Sequence, residues 1–482
     1  MFGRRFARTL FPMLAVLALL VTGCVAPAPA PAAPAAAEPT QAPAAVEPTA
    51  VPAAAEPTKA PEAPAAAAPA GEVTTITFWH AMSGSREKVV NELAESFNAL
   101  HPDMKVEPQL IGSYAETLTK ALAAYKTGSP PTIVQVYEVG TRTMLDSDAV
   151  IPVYTLDKGE VNWDEVVQPI MKYYSVEGKL SCMPFNSSTA MLYYNKDMFA
   201  AAGLDPEKPP ATWAEVETVS KKLMEAGVAK GGFSMGWPAW IFEQEFALHD
   251  QLYADNDNGR AGLATKILFN TDFGVALLTE WQRMAKEGVL VYGGREYSAN
   301  DPFLAGQFGM LFQSTSSLGG IIKSASFKVG TAFLPRLGGF DGVGNSVIGG
   351  GCNWVMKGAT EAQQKAAWEF LKYSFTPERS VIWHKQTGYF PTSLTAYEDL
   401  KKEGWFEAEP NHATAFNQIL SGANTPAATG VVLGDFVQIR DITGAAIEEV
   451  VVNFVDPKQA LTKAETETNQ VLGDYAEMHP QQ

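Results

Sequence analysis

Val73–Leu110 reads VTTITFWHAMSGSREKVVNELAESFNALHPDMKVEPQL, and its periodicity changes twice. Up to His80, Val, Ile, Phe and Trp interleave with Thr, the pattern of a strand. From Ser83 the period becomes helical: Val89, Leu93 and Phe97 fall on one face, and Pro102 closes the segment. MKVEPQLIG then reads as a second strand. YAETLTKALAAYKTGSPP reads as a second helix ended by Gly128 and two prolines, and TIVQVYEVG as a third strand. This βαβαβ alternation predicts an α/β protein with a mostly parallel, helix-covered sheet. Downstream, helices are predicted near Trp213–Ala226 and Asp272–Glu287, within GVVLGDFVQIRDITGAAIEEVVVNF after a turn, and over LTKAETETNQVLGDYAEM. No long linker divides this body, so two α/β lobes woven together by several crossings fit better than separate beads.

The 482 residues carry 53 acidic and 36 basic side chains, a formal charge of −17. Long-range attraction to nucleic acid or to an anionic membrane surface would have the wrong sign, so neither is an expected partner. An anionic ligand must instead be held by local groups. Ten tryptophans and 10% aromatic residues provide for a packed body and for stacking surfaces.

The first residues read as a processing signal. MFGRRFARTL is basic, FPMLAVLALLVT is too short an apolar core for a stable span, and LVTGC ends at Cys24. The small residue before that cysteine resembles the lipobox of bacterial lipoproteins, which would make 1–23 the signal peptide and Cys24 the lipid-bearing N-terminus. Losing three arginines and no acids would take the charge from −17 to near −20. Residues 24–71 are almost entirely Ala, Pro, Glu, Val and Thr, which cannot build a core. They read as a disordered tether reaching on the order of 140 Å. Cys182 and Cys352 remain; export permits a disulfide, and two core thiols are equally compatible. DNDNG at Asp255–Gly259 reads as a polar turn, because the bidentate Glu of a calcium loop is missing. The histidines show no metal-ligand spacing, and no cofactor is expected.

A further set of segments is specific. ITFWHAM, NELAESFNALHP, TIVQVYEVGT, PFNSSTAMLYYNKDMFAAAGLDPEKPPATWAE and HKQTGYFPTSLTAYEDL together resemble the extracellular solute-binding proteins (family 1) of ABC importers, over roughly residues 73–475. QVYEVGT, PFNSSTA and TGYFP resemble the glycerol-3-phosphate-binding branch of that family. The resemblance implies a two-lobe periplasmic-binding-protein fold of class II, maltose-binding-protein-like, with ligand in a hinged cleft. It implies crossings near Pro184–Ala190, Ser346–Cys352 and Tyr389–Ser393. The N-terminal lobe would comprise 72–186 plus 350–388, and the C-terminal lobe 187–349 plus 389–482. It further implies a monomeric, non-enzymatic receptor that delivers sn-glycerol-3-phosphate, or a glycerophosphodiester such as glycerophosphocholine, to the transmembrane subunits of an ABC permease. Lipid at Cys24 would hold it to the membrane, on the periplasmic or outer face.

The resemblance also assigns site residues. Tyr114 in IGSYAET and Trp237 in GWPAW would be cleft aromatics, with Trp240 next door in the core. Glu138 in VYEVG would accept from glycerol hydroxyls, since an ionised carboxylate is a strong acceptor. Ser188 in PFNSSTA and Ser314 in QSTSSL would offer hydroxyls, and Gly350 a backbone N–H made accessible by the missing Cβ. Tyr389 in TGYFP and Arg440 in VQIRD complete the set, Arg440 as the phosphate ligand because a guanidinium offers parallel charge-assisted donors. Read without the resemblance, Ser187 and Ser188 could simply cap backbone groups, and Arg440 could pair with Asp441 at the surface. Two stretches depart from the family pattern: FQSTSS brings in Phe312 and Gln313, and VVLGDF brings in Asp435 and lacks a basic residue. Two other functions stay open. A receptor for oligosaccharides or polyols would use Trp79, Trp237 and Trp240 as stacking platforms. An exported hydrolase would need a second carboxylate placed against Glu138, and no such constellation is legible.

Overall fold

The computed structural model describes residues 73–480 apart from residue 177. The predicted signal peptide, Cys24 and the Ala/Pro-rich tether lie outside the described residues. Ten strands build two sheets: β1 (Thr74–His80), β2 (Met104–Leu110), β3 (Ile133–Tyr137), β4 (Val150–Ile151), β5 (Met183–Ser188), β6 (Ala190–Asn195), β7 (Gly231–Met235), β8 (Phe308–Ser314), β9 (Val329–Ala332) and β10 (Gly349–Met356). The first sheet runs β2-β1-β3-β10-β4, with β5 also paired to β10; the second runs β9-β6-β8-β7.

β1 pairs in parallel with both β2 and β3, as the βαβαβ reading predicts. The rest of the sheet corrects that reading, because β10 is antiparallel to β3, β4 and β5. β10 follows β9 of the second sheet and enters the first from there, so its direction is set by a crossing and not by a local right-handed βαβ unit. The second sheet is mixed in the same way, parallel for β8 with β7 and antiparallel for β6 with β8 and β9.

Only Thr189 separates β5 from β6, so one extended stretch leaves the first sheet and enters the second. β10 returns alongside it, pairing Gly349 with Ser188 and Gly350 with Ser187. A third strand of chain touches the same place, where the Phe390 N–H donates to the Ser187 carbonyl (3.0 Å). These adjacent passages join the two lobes of an α/β fold. A disulfide links Cys182, immediately before β5, to Cys352 in β10, Cα to Cα 5.7 Å, beside the crossings.

Helix α1 (Ser85–Leu100) buries Val89, Val90, Leu93, Ala94 and Phe97, the face its period marks out. Helix α2 (Tyr114–Lys126) starts at a capping box in which Ser113 accepts from the Glu116 N–H and Glu116 accepts from the Ser113 N–H. Helix α3 (Pro238–Leu248) is buried on every face, Glu243 and Glu245 included. Helix α4 (Phe436–Val451) packs against it. At Asn256–Asn258 the backbone is left-handed over three residues, and the Asn258 side chain accepts from the Tyr253 and Ala254 N–H groups. This is the polar turn expected there. Among the described residues no helix is long and apolar enough to cross a membrane.

Candidate ligand-binding site

The strand ends and helix starts of both sheets converge on one cavity. Tyr114, Glu138, Ser188, Trp237, Ser314, Gly350, Tyr389 and Arg440 all line it. These are the eight positions singled out in the sequence, drawn together from segments more than 300 residues apart.

Each is placed by a local cause. Tyr114 is the first residue of α2, fixed by the capping box before it. Its hydroxyl receives a bond from Asn186 Nδ2 (2.8 Å) and lies 3.3 Å from the Tyr389 hydroxyl. Asn186 is held in turn by Gln135, which donates to its Oδ1 (2.7 Å). Glu138 opens the short turn that ends β3. Trp237 adopts a left-handed backbone, φ 53°, immediately before the proline that starts α3, and this turns its ring edge-on to Tyr297 (5.4 Å). Gly350 has φ 94°, and a Cβ there would sit 1.9 Å from the Asn186 carbonyl oxygen. Only glycine lets β10 lie that close to the outgoing crossing.

The three hydroxyls of the crossing have different fates. Thr189 donates to the Val347 carbonyl (2.9 Å), a structural role. Ser187 is buried without a partner, and Ser188 faces the cavity. Trp240, expected in the core, is buried and lines the cavity as well.

Arg440 is the electrostatic centre. It donates from Nε and Nη2 to the two oxygens of Glu243, 2.7 Å each, and from Nη1 to Glu138 at 2.7 Å. The pairing with Asp441 considered from the sequence does not occur; Asp441 pairs with Arg295 instead (3.3 Å). The side chains of Arg440, Glu138 and Glu243 are 13%, 6% and 3% exposed. Burial works against the Arg440 charge, and the carboxylates of Glu243 and Glu138 outweigh it, holding the guanidinium charged. Burial pushes the Glu243 carboxyl up, with Arg440 opposing. With both acids ionised the group carries one net negative charge. Arg440 has five N–H donors, of which two remain after these three bonds.

The two departures from the family pattern lie elsewhere. Phe312 is core, and Gln313 is buried, donating to Asn300 Oδ1 (2.9 Å) and accepting from the Ser314 N–H (2.8 Å). Asp435 precedes α4 and borders a separate surface depression. Sequence reasoning missed Tyr137, Tyr297, Ser316 and Gly349 in the cavity, and Glu243, which does not line it but holds Arg440 from behind. For Glu243 a signal existed: a carboxylate inside PAWIFEQEF, an otherwise mostly apolar helix, needs a buried partner. Tyr297 follows a polar loop and carried no such mark.

A two-lobe α/β body with a polar, aromatic-walled cavity at the crossings defines the class: a hinged receptor for a small solute. The comparisons agree. Residues 92–414 match the family described as bacterial extracellular solute-binding protein. The chain is 39% identical over 413 residues to the sn-glycerol-3-phosphate-binding periplasmic protein UgpB of Pectobacterium atrosepticum, covering 84% of this chain and 93% of that protein. It is 38% identical over 410 residues to UgpB of Escherichia coli K12, with the same coverage. Among solved structures it resembles UgpB of Mycobacterium tuberculosis in complex with glycerophosphocholine (TM-score 0.71, 21% identity, 84% of this chain and 99% of that one). It also resembles the cyclic α-maltosyl-1,6-maltose binding protein of Arthrobacter globiformis (TM-score 0.69, 22% identity, 84% and 100%). The chain belongs to the extracellular solute-binding protein family of ABC transporters, and is an exported binding protein.

Proposed function

We propose that this protein captures sn-glycerol-3-phosphate or a glycerophosphodiester in the cavity at the crossings and presents it to an ABC permease, without chemistry of its own. The observation that supports this reading is the composition of one cavity: a guanidinium, the carboxylate of Glu138, the hydroxyl-bearing residues Ser188, Ser314 and Ser316, and the glycine backbone at Gly350, walled by aromatic rings. Glu138 has the character to accept from glycerol hydroxyls. The serine hydroxyls, the Gly350 N–H and the two remaining donors of Arg440 suit phosphoryl oxygens. The rings of Trp237 and Trp240 suit the carbon chain. Micromolar capture needs about −8 kcal/mol, within reach of a few charge-assisted bonds and cleft desolvation. Lobe boundaries at the three crossings, 72–186 plus 350–388 against 187–349 plus 389–482, place Glu138 and Arg440 on opposite sides of the cleft, so ligand and ion pair both act on closure. A lipid at Cys24 and the tether that follows would keep the monomer near its permease and raise its effective concentration there.

One observation favours a second reading. The buried group around Arg440 is net negative when both acids are ionised, and Trp237 and Trp240 both face the cavity. A neutral oligosaccharide or polyol would meet no repulsion there. Calorimetric titration with glycerol-3-phosphate, glycerophosphocholine and maltose separates the two. Micromolar binding of either phosphate ester with no heat from maltose is the expected result; binding of maltose alone would overturn it.

A further inference from the structure

A second compartment lies against the aromatic wall of the cavity. Tyr114, Tyr137, Trp237 and Tyr297 border both. Beyond them the outer compartment is lined by the first turn of α1 and the turn before α2, and it holds one further guanidinium, Arg86.

Arg86 differs from Arg440 in its company. Among the described residues no carboxylate lies within ion-pair distance of it. Glu296 borders the same compartment without pairing. Arg86 donates from Nη1 to the Tyr297 hydroxyl (3.3 Å), and its guanidinium carbon stands 5.2 Å from the centre of that ring. The Tyr297 hydroxyl in turn lies 3.2 Å from Ser316 Oγ, a cavity residue. One tyrosine therefore separates a half-buried, uncompensated positive charge from the inner hydroxyls. A cation held against a neutral phenol keeps its attraction for an anion, whereas Arg440 has two carboxylates to satisfy first.

Building on the functional reading above, we propose that Arg86 is a specificity-determining residue: its guanidinium supplies the net positive charge that selects a phosphate ester over a neutral polyol. On this account the outer compartment is part of the ligand site. The phosphoryl group lies at the aromatic wall, between Arg86 and the inner hydroxyls, with its glycerol hydroxyls inward toward Glu138. A substituent on the far side of the phosphoryl has the outer compartment to occupy.

The test is calorimetric titration of the purified chain with glycerophosphocholine, comparing wild type, Arg86→Gln and Arg86→Lys at low and high salt. Loss of one charge-assisted contact predicts about 10- to 100-fold weaker binding for Arg86→Gln and an intermediate value for Arg86→Lys. Wild-type affinity falls as salt rises, and that dependence flattens in Arg86→Gln. Unchanged affinity in Arg86→Gln, with wild type binding, overturns the role of Arg86 and leaves the functional reading intact. Equal weakening in Gln and Lys variants with an unchanged salt dependence means that Arg86 acts only as a clasp on Tyr297, which also overturns it. No wild-type binding of the ester overturns both. Thermal unfolding of the variants, expected to match wild type because Arg86 is only half-buried, keeps the comparison one of binding.

Discussion

Arg440 and Arg86 are guanidiniums on either side of one aromatic wall, and their surroundings could hardly differ more. Arg440 is sealed in with Glu243 and Glu138 on three bonds of 2.7 Å. Arg86 stands half-buried against the phenol ring of Tyr297. A buried ion pair is expensive to form and more expensive to break, because removing one partner strands the other without water. A half-buried cation on an aromatic ring costs little and remains able to exchange partners. The difference suggests a division of labour. On the proposed reading, the inner arginine fixes the geometry of the acid that reads hydroxyls, and the outer one reads charge.

Substitutions can break or sharpen that contrast. The largest effect is expected from Arg440→Ala, which leaves Glu138 and Glu243 as unpaired buried carboxylates. Stability in denaturant should drop by about 3–5 kcal/mol, and binding of any phosphate ester should be lost. A variant as stable as wild type would mean that the buried group is not the organising element described here. Glu243→Gln should act next most strongly and in the opposite sense on affinity. It removes one like charge from behind Arg440, so phosphate-ester binding should tighten by about tenfold and depend less on Arg86.

The same residue carries a pH prediction. Burial raises the Glu243 carboxyl above its ordinary 4.5. As pH falls through the window around that raised pKa its charge is lost while a phosphodiester keeps its own, so affinity for glycerophosphocholine should rise. Glu243→Gln should be flat across that window, and a wild-type profile that is equally flat would contradict the assignment. Raised in the fold, this acid contributes stability below its unfolded pKa that is lost as pH rises through the folded one. The smallest change is expected from Tyr297→Phe. It removes the hydroxyl Arg86 rests on and keeps the ring, so affinity should shift by only about threefold.

Much of the fold was legible because it is written in local periodicity. The β1–α1–β2 pattern predicts the parallel core, and Val89, Leu93 and Phe97 point where they should. The antiparallel insertion of β10 was not legible, since its direction follows from a crossing that pairs Gly349 with Ser188, and no local spacing encodes that. At the site, the eight residues carried over from the family resemblance meet in one cavity. The apolar helix around Glu243 signals that this acid needs a buried partner, but not that the partner is Arg440, 197 positions away. Asp441, its neighbour in sequence, points to Arg295. Cys182 and Cys352 show the same limit: the sequence left two thiols or a bond, and the register of β10 brings them together.

The account is tested most directly by a crystal structure of the protein closed on glycerophosphocholine. The predicted result has the phosphoryl oxygens within hydrogen-bond distance of Arg86 and of the hydroxyls of Ser188 or Ser314, with the glycerol hydroxyls on Glu138. A ligand seated against Trp237 and Trp240 with its phosphate away from both guanidiniums, or a cavity that accepts only a neutral sugar, would contradict it.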